Sequence, residues 1–163
     1  MEYPVFIDFE ASSLNDDSYP IEVAWNDPDG TITSILIKPH WSWTDWDPNA
    51  EELHGIARAE IEQRGVPPED VCRRISEVVT GRMHSDAPAY DGHWLKRLFD
   101  VTGGAAPLLV GLSTIPAMKL ACQQRGWFEE AREAARKEVG TIHRAGADVE
   151  VLMKIFQKAG SAT

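Results

Sequence analysis

The segment YPVFIDFE, residues 3–10, decides the fold of this 163-residue chain. Apolar side chains occupy both faces of this segment until Asp8 and Glu10 appear, a pattern typical of a central strand covered on two sides. Because residues i and i+2 of a strand point to the same face, both carboxylates lie on one side of it. The segment therefore predicts a buried strand that presents two acids together near its C-terminal end.

Turn signals and hydrophobic periodicity divide the rest of the chain into further elements. Residues 27–30, DPDG, predict a turn that joins strands over 20–26 and 31–38 into an antiparallel hairpin. Helices are predicted over 50–53, 57–64, 67–82, 92–101, 115–125, 129–138 and 143–158, and short strands over 87–90 and 108–112. This order predicts an α/β fold with a central mixed five-stranded sheet flanked by helices, with residues 1–163 forming one domain.

The composition excludes several classes of protein. Hydrophobic residues make up 43% and charged residues 26% of the chain, which argues against disorder. Cys72 and Cys122 are the two cysteines and form no CxxC pair, which excludes a disulfide framework and argues against a zinc site. No apolar run reaches the roughly 18 residues of a membrane span, and residues 1–4 lack the start of a signal peptide. We therefore expect a cytoplasmic location and no membrane partner.

Two adjacent carboxylates on an apolar strand are unfavourable unless a partner satisfies them. A hard divalent cation such as Mg²⁺ or Mn²⁺ would do so, because these ions prefer carboxylate oxygen. The alternative is that Asp8 and Glu10 are strand-end acids exposed to water.

Two more acids and a histidine are candidates for the same site. Asp91 follows the predicted strand 87–90, where it is either a metal ligand or the N-cap of the next helix. His143 and Asp148 are five residues apart, so on one regular helix they would point about 140° apart. They can face one site if His143 precedes the last helix and Asp148 lies in its opening turns. A structural histidine and an aspartate that compensates the helix dipole are the alternatives.

The ordered set of these segments resembles the DEDDh family of 3′→5′ exonucleases, which includes the proofreading subunit of bacterial replicative DNA polymerase, ribonuclease T and oligoribonuclease. The segments are FIDFE (6–10), LHGI (53–56), YD (90–91) and HRAGAD (143–148), in the family's order across nearly the whole chain. The resemblance implies a ribonuclease-H-like fold. It also implies hydrolysis of phosphodiester bonds at the 3′ end of single-stranded RNA or DNA, with release of nucleoside 5′-monophosphates.

The resemblance also implies a role for each residue of the set. Two divalent cations, Mg²⁺ or Mn²⁺, would bind to Asp8, Glu10, Asp91 and Asp148. His143 would act as the general base that deprotonates the attacking water. Two metal ions about 4 Å apart can stabilise both the attacking and the leaving oxygen of an in-line displacement. A histidine that titrates near neutrality can accept the proton of the water.

The substrate contacts implied by the resemblance involve the residues Phe9, Ala11, Ser12, Leu14, His54 and Ile56. Leu14 and Ile56 would pack against the terminal base, and His54 would contact its sugar or phosphate. The alternatives are ordinary core positions for the two apolar residues and a structural role for the histidine. Residues 85–89 lack the His-Asn pair of many family members, and Ala11 and Ser12 stand where threonines are frequent. These differences leave the nucleotide contacts open.

The net charge of −10 bears on the choice of substrate, because nucleic-acid affinity comes largely from neutralised phosphates. Setting aside the four candidate ligands leaves −6 of that charge, which favours short oligonucleotides or strand ends over extended duplex. The loop over 41–46 carries three tryptophans, which either stack on bases or pack the loop onto the body. Some family members dimerise, so a homodimer is allowed. Two alternative functions stay open: a catalytically silent relative that binds nucleic acid or a protein, and a phosphoesterase acting on small nucleotides.

Overall fold

Five strands form one mixed sheet in the computed structural model, which describes residues 2–79, 81–140 and 143–161. The strands are β1 (Val5–Ala11), β2 (Pro20–Asn26), β3 (Ile32–Leu36), β4 (Arg82–Ser85) and β5 (Leu108–Gly111), in the spatial order β3-β2-β1-β4-β5. The pairs β1–β2 and β2–β3 are antiparallel, whereas β1–β4 and β4–β5 are parallel. This arrangement confirms the central mixed five-stranded sheet predicted from the sequence.

Helices cover both faces of the sheet. They are α1 (Pro48–His54), α2 (Arg58–Arg64), α3 (Pro68–Val78), α4 (Pro88–Asp100), α5 (Pro116–Gln123), α6 (Trp127–Val139) and α7 (Ala145–Ser161), with a short 3-10 helix at Leu112–Thr114. On one face α7 contacts the three strands β1, β2 and β3, and α5 and α6 pack beside it. On the other face α4 contacts β1 and β2, and α3 packs on α4. No helix among the described residues is both long and apolar enough to span a membrane.

The central strand β1 divides the hydrophobic core into two clusters. Ile7 and Phe9 belong to the cluster beneath α3 and α4, whereas Phe6 belongs to the cluster beneath α7. Asp8 and Glu10 follow Phe6 at two-residue spacing, so they point to the α7 side, as the alternation predicts. The strand thus carries both acids towards the start of the last helix.

The prediction of a strand over 87–90 is wrong. The strand in this part of the chain is β4, which ends earlier, at Ser85. The helix that follows begins at Pro88 rather than at residue 92. Proline is favoured in the first turn of a helix because its missing N–H has no intrahelical partner there. Asp91 therefore lies in the first turn of α4 and not at the end of a strand.

The predicted helix over 67–82 is also too long, because α3 ends at Val78 and residue 82 already belongs to β4. Residue 80, inside that prediction, lies outside the described residues. Only Met83 and Ser85 of the four residues in β4 are buried, so the strand has little hydrophobic signal of its own.

The tryptophan-rich loop packs mainly onto the body of the protein. Trp43 is buried and stacks on Tyr19, with ring centroids 5.3 Å apart. The indole of Trp46 donates a hydrogen bond of 2.8 Å to Glu51. Trp41, by contrast, is 87% exposed.

Candidate metal centre and adjoining cleft

The four carboxylates predicted from the sequence meet beside β1 in two groups. One oxygen from each of Asp8, Glu10 and Asp148 lies within 4.8 Å of the others. A second group, with the same spacing, joins Asp8 and Asp91 to Asp86, which the sequence prediction did not include. Asp8 belongs to both groups, so it lies between the two sets of candidate ligands.

Neighbouring elements hold the second group in place. Asp91 is 2% exposed and accepts a hydrogen bond from the buried hydroxyl of Ser85 at the end of β4. Asp86 forms an ion pair of 3.1 Å with Arg132 from α6. The carboxylates therefore come from four parts of the chain that the fold brings together: β1, the β4–α4 connection, the first turn of α4 and the first turn of α7.

Burial and mutual repulsion raise the pKa values of these acids. For Asp8, burial is the largest cause, followed by the negative charges of Asp91 and Asp148, and its pKa is well above the ordinary value. Burial, then Asp148, raises the pKa of Glu10 to about 8. Burial raises the pKa of Asp91 to about 7, although the hydrogen bond from Ser85 opposes this shift. Burial also raises the pKa of Asp148, against the opposing charge of Arg136.

The chemistry of the donor set fits a divalent cation. Every candidate donor in the two groups is a carboxylate oxygen, the ligand that Mg²⁺ and Mn²⁺ prefer. The ionised acids repel each other because they are close together and partly buried from solvent. A cation bound among them would remove that repulsion.

A cavity of about 170 Å³ opens beside the carboxylates. His143 lines this cavity together with Asp8, Glu10 and Asp148. His143 lies just before α7 and Asp148 in its first turn, which is the arrangement expected from their spacing. The backbone of His143 has φ of 59°, a left-handed conformation that is uncommon for residues other than glycine.

A half-buried ion pair fixes the start of α7 next to this histidine. Glu22 of β2 faces Glu10 in the antiparallel register and its side chain is only 3% exposed. Its two oxygens accept hydrogen bonds of 3.0 and 2.7 Å from the guanidinium of Arg144. Glu22 also accepts one of 3.0 Å from the backbone N–H of Ala145. Local sequence patterns do not reveal this pair, because the two residues are 122 positions apart.

A second cavity of about 310 Å³ adjoins the carboxylates. Phe9 and Glu10 line both cavities, so the two are neighbours. Of the predicted substrate contacts, four line this second cavity: Phe9, Ala11, Leu14 and His54. Leu14 is 73% exposed at its rim. The Nδ1 atom of His54 accepts a hydrogen bond of 3.0 Å from the backbone of Ile56, and burial lowers the pKa of the imidazole.

Two predicted substrate contacts do not line the cavity. Ile56 is fully buried in the hydrophobic core, as the core alternative proposed. Ser12 is also buried, and its hydroxyl donates to Asp45 at 2.8 Å while accepting from the backbone of Tyr19 at 3.1 Å. Ser12 thus joins the loop after β1 to Asp45, and Ile56 contributes to the core.

Comparison with solved structures identifies proteins of the same fold. E. coli Exonuclease I in complex with a dA16 oligonucleotide aligns with a TM-score of 0.73 and 16% identity over 97% of this chain and 41% of that protein. The zinc-bound form of the E. coli enzyme with single-stranded DNA aligns at 0.69 and 16%, over 97% and 40%. Exonuclease I from Methylocaldum szegediense aligns at 0.66 and 16%, over 94% and 40%. No protein-family model and no curated protein sequence matches the chain.

The chain has a ribonuclease-H-like fold. The mixed sheet and its flanking helices match the fold of these exonucleases, as predicted from the sequence. The chain spans about 40% of the length of the proteins that it matches. At this level of identity the likeness concerns the fold, because one fold supports many different functions.

Proposed function

We propose that this protein is a metal-dependent 3′→5′ exonuclease of the DEDDh type, acting on single-stranded RNA or DNA ends or on short oligonucleotides. The observation that carries the proposal is that two clusters of three acidic residues share Asp8, and that His143 lines the cavity beside them. The structural neighbours support it, because two of them are complexes of an exonuclease with single-stranded DNA. In this proposal the protein acts in the cytoplasm, and a homodimer is compatible with it.

Each residue then has a defined task. Asp8, Glu10, Asp91 and Asp148 hold two divalent cations, Mg²⁺ or Mn²⁺. When bound, these ions supply activation of the attacking water and stabilisation of the charge on the leaving oxygen. His143 removes one proton from the attacking water, since a neutral imidazole can accept it. The cavity lined by Phe9, Leu14 and His54 holds the terminal nucleotide.

End-labelled oligonucleotides test this proposal. RNA and DNA oligomers labelled at either end are incubated with the protein and Mg²⁺, Mn²⁺ or EDTA. We expect stepwise shortening from the 3′ end, release of nucleoside 5′-monophosphates and complete loss of cleavage in EDTA. Internal cleavage, attack from the 5′ end or activity in EDTA would contradict the proposal.

Two other outcomes identify the alternatives. Hydrolysis of mononucleotide esters without shortening of oligomers would indicate a small-nucleotide phosphoesterase. Binding of oligomers without hydrolysis under any metal condition would indicate a catalytically silent relative.

A further inference from the structure

Two arginines of α6 face the candidate metal centre. Arg132 and Arg136 are one helical turn apart, so they lie on the same face of α6. Both line the cavity of about 170 Å³ that also contains Asp8, Asp148 and His143. The tasks assigned above to the carboxylates and the histidine make no use of these two guanidinium groups.

The two arginines differ in their partners. Arg132 forms its ion pair with Asp86 at 3.1 Å and lies over the ring of Phe128, 5.1 Å from the centroid. Arg136 forms no ion pair with any acid among the described residues. Its Nε atom, like that of Arg132, is buried and lacks a hydrogen-bond partner within the described part of the chain. Arg136 thus has unused donor capacity on the wall of an acidic cavity.

The chemistry of a guanidinium indicates the kind of ligand that it would accept. Arginine presents several N–H donors in one plane and binds phosphate oxygens through two bonds at once. A chain with a net charge of −10 needs local positive charge wherever it binds a phosphate. Arg136 supplies such a charge beside the carboxylates, where the metal ions of the proposed function would bring a phosphate.

We propose that Arg136, with Arg132 beside it, binds the phosphate group on which the enzyme acts. The inference rests on the proposed function, in which this group is the last phosphodiester of the strand and then the 5′-monophosphate of the product. During hydrolysis the water oxygen bonds to phosphorus and its proton passes to His143. The bond to the 3′ oxygen breaks, and that oxygen leaves with the bonding electrons and takes up a proton from the solvent. The phosphate gains negative charge in this step, so the guanidinium binds it more strongly as the reaction proceeds.

Titration calorimetry with product-like ligands tests the inference. Adenosine 5′-monophosphate and adenosine are titrated into the Mg²⁺-loaded wild-type protein and into Arg136→Gln. We expect the substitution to weaken binding of the monophosphate by about tenfold or more, because a charge-assisted hydrogen bond is lost. Binding of adenosine, which has no phosphate, should stay unchanged.

Lys137→Gln is the matched control, because it removes the same charge from the next position of α6. Lys137 does not line the cavity of about 170 Å³; its side chain is 74% exposed, and its ammonium pairs with Glu133. Its loss should change monophosphate affinity by no more than about twofold, since the effect of an exposed charge is screened by water and salt. Arg136→Lys keeps the charge without the planar donors, so its affinity should lie between those of the wild type and Arg136→Gln. Thermal melting confirms that each variant is folded.

Equal affinity of the wild type, Arg136→Gln and Arg136→Lys for the monophosphate would overturn the inference, as would no binding to the wild type. An equal loss of affinity for adenosine would also overturn it, because the arginine would then support the cavity and not the phosphate. The binding measurement is independent of turnover. If the wild type cleaves no oligomer but binds the monophosphate through Arg136, the inference stands and the exonuclease proposal fails.

Discussion

Asp8 carries a charge that the metal-free fold disfavours. It belongs to both groups of candidate ligands, and burial together with four neighbouring acids raises its pKa well above the ordinary value. Asp8→Asn keeps the shape of the side chain and removes the charge. We expect this variant to lose binding of Mn²⁺ and all hydrolysis, yet to melt about 2–4 °C higher than the wild type in EDTA near neutral pH, because repulsion is relieved.

Asp17→Asn is the control for this prediction, because Asp17 is exposed in the loop after β1 and the change in charge is the same. It should leave Mn²⁺ binding, hydrolysis and melting unchanged. Wild-type Mn²⁺ affinity in Asp8→Asn, measured by calorimetry, would remove Asp8 from the ligand set.

His143 combines a position in the cavity with a left-handed backbone. Asparagine adopts this conformation more readily than most residues, so His143→Asn should keep the local fold while removing the base. We expect turnover to fall by about 10²–10⁴-fold, the usual contribution of a general base, with Mn²⁺ affinity unchanged. Steady-state kinetics and Mn²⁺ titration separate the two effects. Full turnover in the variant would exclude His143 as the base.

At the scale of elements, the pair Glu22–Arg144 joins β2 to the start of α7. Glu22 is almost fully buried, whereas the side chain of Arg144 is 43% exposed. Arg144→Gln would leave a buried carboxylate without its cation, and we expect it to destabilise the protein by about 2–3 kcal/mol, less than for a fully buried pair. Turnover should fall as well, because His143 and Asp148 lie on either side of the position that is released.

Arg73→Gln is the matched control, because Arg73 forms two ion pairs on the exposed face of α3. Exposed pairs of this kind contribute little, so its loss should change stability by less than about 0.5 kcal/mol. Denaturant unfolding measures both variants. Equal stabilities of Arg144→Gln and Arg73→Gln would show that the pair Glu22–Arg144 does not hold α7.

Comparison of the predicted with the observed elements shows which features local sequence patterns predict and which depend on tertiary packing. The bounds of β2 and the common face of Asp8 and Glu10 follow from local alternation, and the structure confirms both. The strand β4 is short and polar, so it has little hydrophobic signal. The apolar residues that follow it predict a strand over 87–90, but in the structure they lie at the start of α4. Asp86 was missed for that reason, since its place beside Asp8 depends on where β4 ends. The partners of Glu22 depend on tertiary packing, which local patterns do not reveal.

At the scale of the whole molecule, the clustered carboxylates make the free energy of unfolding depend on pH and on bound metal. Burial and neighbouring charges raise the pKa of Glu10 from 4.5 to about 8 and that of Asp91 from 3.8 to about 7. At a pH between the unfolded and the folded pKa of each group, the carboxyl group is protonated in the folded, metal-free protein and ionised in the unfolded chain. The contribution of these groups to the free energy of unfolding is therefore fully present below the unfolded pKa values and is lost as pH rises through the folded ones.

A divalent cation reverses this trend, because it binds the ionised carboxylates of the folded state and releases their protons. We expect Mg²⁺ to raise the melting temperature by about 5 °C or more near pH 8, and by clearly less near pH 5, where protons compete for the same oxygens. Calorimetric melting in Mg²⁺ and in EDTA, with ionic strength matched by KCl, measures the difference at each pH. In Asp8→Asn the metal-dependent rise should disappear at both. An equal rise near pH 5 and pH 8 in the wild type would mean that the cation binds elsewhere, because no other group of carboxylates among the described residues combines this proximity with such raised pKa values.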